Sequence, residues 1–212
     1  MLLFLPAGHP DTPLLASLPD AEALAPSFDG RVLVVDAAQL PGLRAHAAGY
    51  AADAVPPAAI LNDAPYLVPK RVTAAGGYVV RHGAREPEVL LIFRRGEWDL
   101  PKGKTGRGET LHAGALREVS EEVGIAPGAL ALVGPLGSTL YGYAEKDRYR
   151  VKTTHWFLMT TAAKRFTPQA AEGITAAEWV PFEEATARVG FESFRAHMRL
   201  VRPVLARWNA AG

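Results

Sequence analysis

The segment from Gly103 to Ile125 decides the fold, and it reads GKTGRGETLHAGALREVSEEVGI. Its first third is rich in glycine, and its second half carries apolar residues at the spacing of one helix face. Gly124 stands where a left-handed C-cap is expected. The pattern therefore predicts a glycine-rich loop followed by an amphipathic helix over residues 110–123.

Three glutamates share one face of this predicted helix. Glu118, Glu121 and Glu122 follow the spacing i, i+3, i+4, which brings their side chains together. Like charges at that spacing destabilise a helix unless a cation lies among them. A solvated acidic face is the commoner source of such a pattern, but Glu118 and Glu122 fall at the edge of the apolar stripe instead of opposite it. Because Mg²⁺ prefers carboxylate oxygens, the pattern favours a divalent-metal site.

The rest of the chain beyond residue 70 alternates strands and helices without a strict βαβ rhythm. The predicted loop covers residues 98–109. The predicted strands are Val72–Val80, Glu88–Phe93, Leu130–Val133, Arg150–Thr160 and Thr175–Val180, and two further helices are predicted at Phe182–Val189 and Phe191–Trp208. This order favours the α+β class, as an α/β/α sandwich with a mixed sheet between helices.

Residues 1–70 differ in composition from the rest, being rich in Ala, Leu and Pro. Strands are predicted at Leu2–Leu5 and Arg31–Val35, a helix at Leu40–Tyr50, and an extended proline-rich connector after it. We therefore divide the chain into a small N-terminal α/β extension of unknown role, residues 1–70, and a main domain, residues 71–212. We expect the extension to pack on the main domain, and the sequence leaves open whether it covers the site or contributes to a homodimer.

The overall composition excludes several classes of protein. The 212 residues carry a formal net charge of +1 and no cysteine, which excludes disulfides, zinc–thiolate sites and a cysteine nucleophile. Such a charge gives no bulk basic field for nucleic acid. No apolar stretch approaches the roughly twenty residues of a membrane helix, so we expect a cytoplasmic protein that binds neither nucleic acid nor membranes.

Nine positions of the quoted segment resemble the signature of the Nudix hydrolases, a MutT-like superfamily. They are Gly103, Glu109, Arg117, Glu118, Val119, Glu121, Glu122, Gly124 and Ile125. The resemblance extends from about residue 71 to about residue 190. It implies a Nudix fold and Mg²⁺-dependent hydrolysis, with Mn²⁺ as a substitute, of a phosphoanhydride bond in a nucleoside-diphosphate-linked substrate.

The resemblance also implies roles for individual residues. Glu118, Glu121 and Glu122 would bind the metal, Glu109 would assist, and Arg117 would orient the acids. Glu122 is the favoured general base. Glu172, in the loop before a Trp-containing strand, would supply a further ligand or the base, with Glu178 as the second choice, and an exposed loop acid remains the alternative for both.

Other residues resemble those of the dinucleoside polyphosphate hydrolases. The run Leu100-Pro101-Lys102-Gly103-Lys104 is similar to that branch and to some MutT proteins. Lys102 and Arg94 could meet a phosphate as point charges, although ordinary surface cations are the alternative. Tyr141 and Tyr143 could stack on a base. His155 could contact substrate or serve only as a structural hydrogen-bonding residue.

Three functions follow from these features. A dinucleoside polyphosphate hydrolase is favoured, and the alternative is removal of oxidised or non-canonical nucleoside triphosphates. A nucleotide-sensing regulatory protein is the third, and it is disfavoured because the signature is intact and only about thirty residues follow Trp179, too few for a DNA-binding domain.

Overall fold

A computed structural model describes residues 2–4, 14–15, 33–35, 60–62, 68–146 and 148–211. The chain divides into two compact units. One comprises Met1–Val72 and Leu140–Lys152, and the other comprises Thr73–Thr139 and Thr153–Gly212.

The N-terminal segment contributes a four-stranded antiparallel sheet of order β2-β1-β3-β4. Its strands are β1 (Leu2–Phe4), β2 (Leu14–Leu15), β3 (Leu33–Val35) and β4 (Ile60–Asn62). Both strands predicted in this segment are present, at β1 and β3. The predicted helix at Leu40–Tyr50 lies outside the described residues.

A seven-stranded sheet follows, with the order β11-β6-β5-β10-β9 and with β7 paired to β6 and β8 paired to β5. Its strands are β5 (Val68–Arg81), β6 (Glu88–Arg94), β7 (Glu97–Asp99), β8 (Lys102–Lys104), β9 (Leu130–Glu145), β10 (Arg148–Thr161) and β11 (Ile174–Pro181). The helices are α1 (Leu111–Val123), α2 (Phe182–Arg188) and α3 (Glu192–Ala210). Single 3₁₀ turns occupy Pro127–Ala129 and Ala170–Glu172.

The central strands have buried side chains on both faces, and each face meets a different helix. On one face, Val79 and Met159 pack in a core cluster with Val119 of α1. On the other face, the Tyr78 and Trp156 rings lie 5.5 Å apart, and Phe194 of α3 lies 5.4 Å from Trp156. Because neighbouring strand residues point to opposite faces, α1 and α3 lie on opposite sides of the sheet. The predicted fold class, a mixed sheet between helices, is confirmed.

A buried polar network ties α3 to the sheet. His197 on α3 contacts the Tyr78 hydroxyl through Nδ1 at 2.8 Å and the Leu136 carbonyl through Nε2 at 3.0 Å. Since a carbonyl only accepts, Nε2 carries the proton, and the Tyr78 hydroxyl therefore donates to Nδ1. Burial lowers the pKa of His197 and raises that of Tyr78, which keeps both groups neutral in this network.

The structure corrects two sequence predictions about local structure. The predicted loop at residues 98–109 contains the end of β7 and all of β8, which pair with β6 and β5. The predicted strand Leu130–Val133 is the start of β9, which continues to Glu145, so Tyr141 and Tyr143 belong to a strand. Within the described part of the chain, no helix combines the length and apolar character needed to cross a membrane.

Candidate active site

Helix α1 is capped at both ends, at its C-terminal end by the predicted Gly124. The Thr110 hydroxyl accepts the N–H of Ala113 at 3.2 Å, which caps the first turn. Gly124 adopts a left-handed conformation with φ of 67°. A Cβ atom at Gly124 would overlap the carbonyl oxygen of Thr167, so glycine allows the next segment to dock against the helix end.

That docking brings a second acidic segment to the helix. The N–H groups of Thr167 and Gln169 donate to the carbonyls of Val123 and Glu122, at 2.9 and 3.1 Å. These bonds place the 3₁₀ turn that ends at Glu172 beside the C-terminal end of α1. The burial of Glu118 raises its pKa, and the charge of Glu172 contributes to that rise.

Strand β8 approaches α1 so closely that one position must be glycine. A Cβ atom at Gly103 would overlap the carboxylate of Glu118. The first glycine of the sequence signature therefore leaves the space that this carboxylate occupies.

Arg117 gathers three of the carboxylates. Its Nε and Nη2 atoms bind both oxygens of Glu109 at 2.8 Å, and its Nη1 atom lies 2.8 Å from Glu118 and 3.0 Å from Glu121. The Arg117 hydrogen bond, together with the N–H of Gly106, lowers the pKa of Glu109 to about 2. Arg117 thus contacts three of the carboxylates that the family resemblance assigns to the site, and its orienting role stays a prediction.

Glu122 is held differently, by one backbone group and one guanidinium. Its side chain is 1% exposed; Oε2 accepts the backbone N–H of Lys102 at 2.7 Å, and Oε1 lies 3.1 Å from Nη1 of Arg94. Burial raises its pKa to about 7, against the opposing charges of Lys102 and Arg94. Glu122 is therefore held by two N–H donors and is poorly accessible to bulk water.

Arg94 joins Glu122 to Glu172. Its Nη2 atom lies 2.6 Å from Oε2 of Glu172, and its Nε atom donates to the Glu172 carbonyl at 3.2 Å. The backbone supports this contact, because the N–H of Arg95 donates to the Gly173 carbonyl at 3.3 Å. The structure thus brings Glu172, a candidate from sequence alone, into the same cluster as the α1 glutamates.

Five carboxylates share two guanidinium groups in this cluster. The carboxylates belong to Glu109, Glu118, Glu121, Glu122 and Glu172, and the guanidinium groups belong to Arg94 and Arg117. Among the described residues, no three carboxylate or imidazole groups converge closely enough to hold a metal ion, since the arginines hold the acids. The donor set is nevertheless one of oxygens with excess negative charge, which fits Mg²⁺ or Mn²⁺.

The Lys102 ammonium pairs with a carboxylate outside this cluster. The Lys102 side chain is 5% exposed. Its ammonium pairs with Asp99 and lies 5.3 Å from the Phe194 ring on α3. The group of Lys102 that contacts the cluster is its backbone N–H, and the expected contact between its ammonium and a phosphate stays a prediction. Sequence analysis missed Asp99, although its i, i+3 spacing from Lys102 was visible.

The remaining candidates are spread over the structure. Glu178 lies 3.6 Å from Arg188, which pairs it outside the cluster. By strand alternation, the half-buried His155 lies on the same face of the sheet as Phe157, the face that packs on α1. Tyr141 and Tyr143 belong to the other compact unit, and Tyr143 is half-buried.

A family model described as the NUDIX domain matches residues 70–200. Among curated proteins, "Putative mutator protein MutT4" of Mycobacterium tuberculosis (strain CDC 1551 / Oshkosh) is 34% identical over 131 residues, covering 58% of this chain and 51% of that protein. The RNA pyrophosphohydrolase of Gluconobacter oxydans (strain 621H) is 31% identical over 138 residues, covering 58% of this chain and 81% of that protein. The chain spans about half the length of the first curated relatives that it matches.

Solved structures share the fold. The Caenorhabditis elegans Ap4A hydrolase in its binary complex has a TM-score of 0.52 at 22% identity, covering 64% of this chain and 98% of that chain. The Escherichia coli dihydroneopterin triphosphate pyrophosphohydrolase has a TM-score of 0.51 at 21% identity, covering 65% of this chain and 99% of that chain. At this level of identity the likeness concerns the fold alone.

Proposed function

The chain belongs to the NUDIX domain family, and from this membership we propose that it hydrolyses a phosphoanhydride bond in a nucleoside-diphosphate-linked substrate with Mg²⁺. One observation carries the proposal: Gly103 leaves room for the Glu118 carboxylate beside Glu121 and Glu122 on one face of α1. A close approach of backbone to an acidic cluster has no evident purpose in a merely solvated helix face.

Glu118, Glu121 and Glu122 are the residues that would hold the metal ion. When bound, Mg²⁺ or Mn²⁺ would lower the pKa of water and neutralise charge on the phosphoryl oxygens. Arg117 and Glu109 keep the first two carboxylates in place, and the Lys102 N–H keeps Glu122 in place.

Glu172 is the residue we assign as general base. Both oxygens of Glu122, the base favoured from sequence, accept hydrogen bonds from N–H donors, and its side chain is 1% exposed. The Glu172 side chain is 45% exposed and is oriented by Arg94, so water can reach it. Arg94 lies between Glu122 and Glu172. It would bind a substrate phosphate once Glu122 binds the metal ion and Glu172 binds water.

For the substrate we propose a dinucleoside polyphosphate. The support comes from the Leu100–Lys104 segment and from Tyr141 and Tyr143, which resemble the branch that acts on such molecules. Lys102 no longer adds a phosphate contact to this support, because its ammonium pairs with Asp99.

A damaged nucleoside triphosphate is the second candidate substrate. The 34% identity to a protein named as a putative mutator protein favours it. The chemistry and the carboxylates would be the same for both substrates, and the difference would lie in the loops that contact the base.

A substrate panel with product identification tests the proposal. Diadenosine tetraphosphate, 8-oxo-dGTP and unmodified triphosphates are each incubated with the protein and Mg²⁺, and the products are separated by ion-exchange chromatography. We expect kcat/KM to be highest for diadenosine tetraphosphate. A preference for 8-oxo-dGTP would make a damaged nucleoside triphosphate the favoured substrate. If none of these compounds is hydrolysed, both proposed substrates are wrong.

A further inference from the structure

The turn between β7 and β8 contains a buried ion pair that the proposed reaction does not use. Lys102 and Asp99 are both buried, and the Lys102 ammonium contacts the Asp99 carboxylate. Asp99 also accepts the N–H of Leu100 at 2.8 Å. Two charges withdrawn from water are costly unless they are well paired, so a buried ion pair is weak evidence of a stabilising role.

Lys102 contacts the candidate active site at one end and helix α3 at the other. Its backbone N–H donates to Oε2 of Glu122 at 2.7 Å, and its Nζ atom lies 5.3 Å from the centre of the Phe194 ring. Because α1 and α3 pack on opposite faces of the sheet, the Lys102 side chain extends away from Glu122 and toward α3.

We propose that Asp99 is a positioning residue that holds the Lys102 ammonium away from Glu122. Lys102 then offers Glu122 only a backbone N–H, at Oε2, which leaves Oε1, the oxygen that contacts Arg94 here, to ligate a metal ion. This inference rests on the proposed function. Without the Asp99 carboxylate, the buried ammonium needs another anion, and Glu122, already bonded to the same residue, is the acid it would compete for.

Isothermal titration with Mn²⁺ in the absence of substrate tests this role. The variants are Asp99→Asn, Lys102→Met and the double variant that combines both changes. Glu97→Gln is the matched control, because Glu97 is an exposed acid on the same strand, β7. Folding of each variant is checked by circular dichroism and thermal denaturation.

We expect Asp99→Asn to weaken Mn²⁺ binding by about tenfold or more, the usual scale for residues that support a metal ligand. The double variant should return to wild-type affinity, because the competing ammonium is gone while the backbone N–H remains. Lys102→Met alone should bind Mn²⁺ at least as tightly as wild type, and Glu97→Gln should be unchanged. If the Asp99–Lys102 pair were purely structural, these substitutions would lower the melting temperature but would not produce this pattern of Mn²⁺ affinities.

Three results would overturn the inference. The first is a folded Asp99→Asn variant with wild-type Mn²⁺ affinity, and the second is a double variant as weak as Asp99→Asn. The third, which does not depend on Asp99→Asn being folded, is a folded Lys102→Met variant that loses Mn²⁺ binding. If the wild-type protein itself binds no Mn²⁺, the proposed function fails first, and that outcome is visible before any variant is compared.

Discussion

At the scale of single residues, Gly103 offers a sharp test of the cluster geometry. Gly103→Ala adds a Cβ atom where the Glu118 carboxylate lies, so Glu118 must move. A displacement of about 1 Å in a catalytic arrangement costs on the order of a hundredfold in rate, and we expect such a loss in kcat with Mg²⁺. Gly128→Ala is the control, because a Cβ atom there meets nothing within 4 Å. A Gly103→Ala enzyme with the wild-type kcat would contradict this geometry.

Glu122 gives a prediction about pH in the metal-free protein. Burial raises its pKa from 4.5 to about 7, so its neutral form contributes stability that is fully present below pH 4.5 and is lost as the pH rises through 7. Glu122→Gln cannot ionise. In EDTA, we expect its free energy of unfolding relative to wild type to increase between pH 5 and pH 8 by about 3 kcal/mol.

Urea denaturation at several pH values measures this difference. Glu178→Gln serves as the control, because the Glu178 side chain is about half exposed and pairs with Arg188 outside the cluster. Parallel stability profiles for Glu122→Gln and wild type would mean that Glu122 ionises like a solvated acid.

Sequence predicted the residues of the cluster that are close in the chain. The spacing of Glu118, Glu121 and Glu122 determines their common face, whatever the rest of the fold. The contact between Arg94 and Glu172 joins residues 78 positions apart, and no local pattern encodes it. The direction of the Lys102 side chain depends on Asp99 and on α3, and therefore on tertiary packing.

At the scale of elements, α1 was predictable because both of its ends are defined by local chemistry. Its C-terminal end gives a test with a matched pair of glycines. Gly124 and Gly108 both have positive φ, at 67° and 76°, but only Gly124 has a neighbour, Thr167, that a Cβ atom would overlap. Each Gly→Ala change should cost roughly 1–2 kcal/mol for the left-handed backbone. Gly124→Ala should cost clearly more in urea denaturation, and equal costs would contradict the docking of residues 167–173 on α1.

The strands were harder to predict than the helices, because pairing extended them. Pro135 interrupts the apolar pattern after Leu130–Val133, yet β9 continues to Glu145 beside β10. Lys102–Lys104 has no strand signal, yet it forms a strand because it pairs with β5 at Ala74–Gly76. Ladder hydrogen bonds come from distant segments, so the alternation within one segment does not report them.

At the scale of the whole molecule, the order of elements sufficed to predict a sheet between helices. The family match begins at residue 70, so it does not extend to the N-terminal segment. The packing of residues 1–70 on the main domain and a homodimer both stay predictions.

The central claim is that the carboxylates on α1 form a metal-dependent hydrolytic site, and metal dependence tests it most directly. The measurement is the rate of nucleotide release from the best substrate of the panel, with Mg²⁺ and with excess EDTA, for wild type and for the double variant Glu121→Gln, Glu122→Gln. We predict turnover by wild type with Mg²⁺, none in EDTA, recovery on adding Mn²⁺, and loss of orders of magnitude in the folded double variant. Full activity in EDTA, or a double variant as fast as wild type, would contradict the claim.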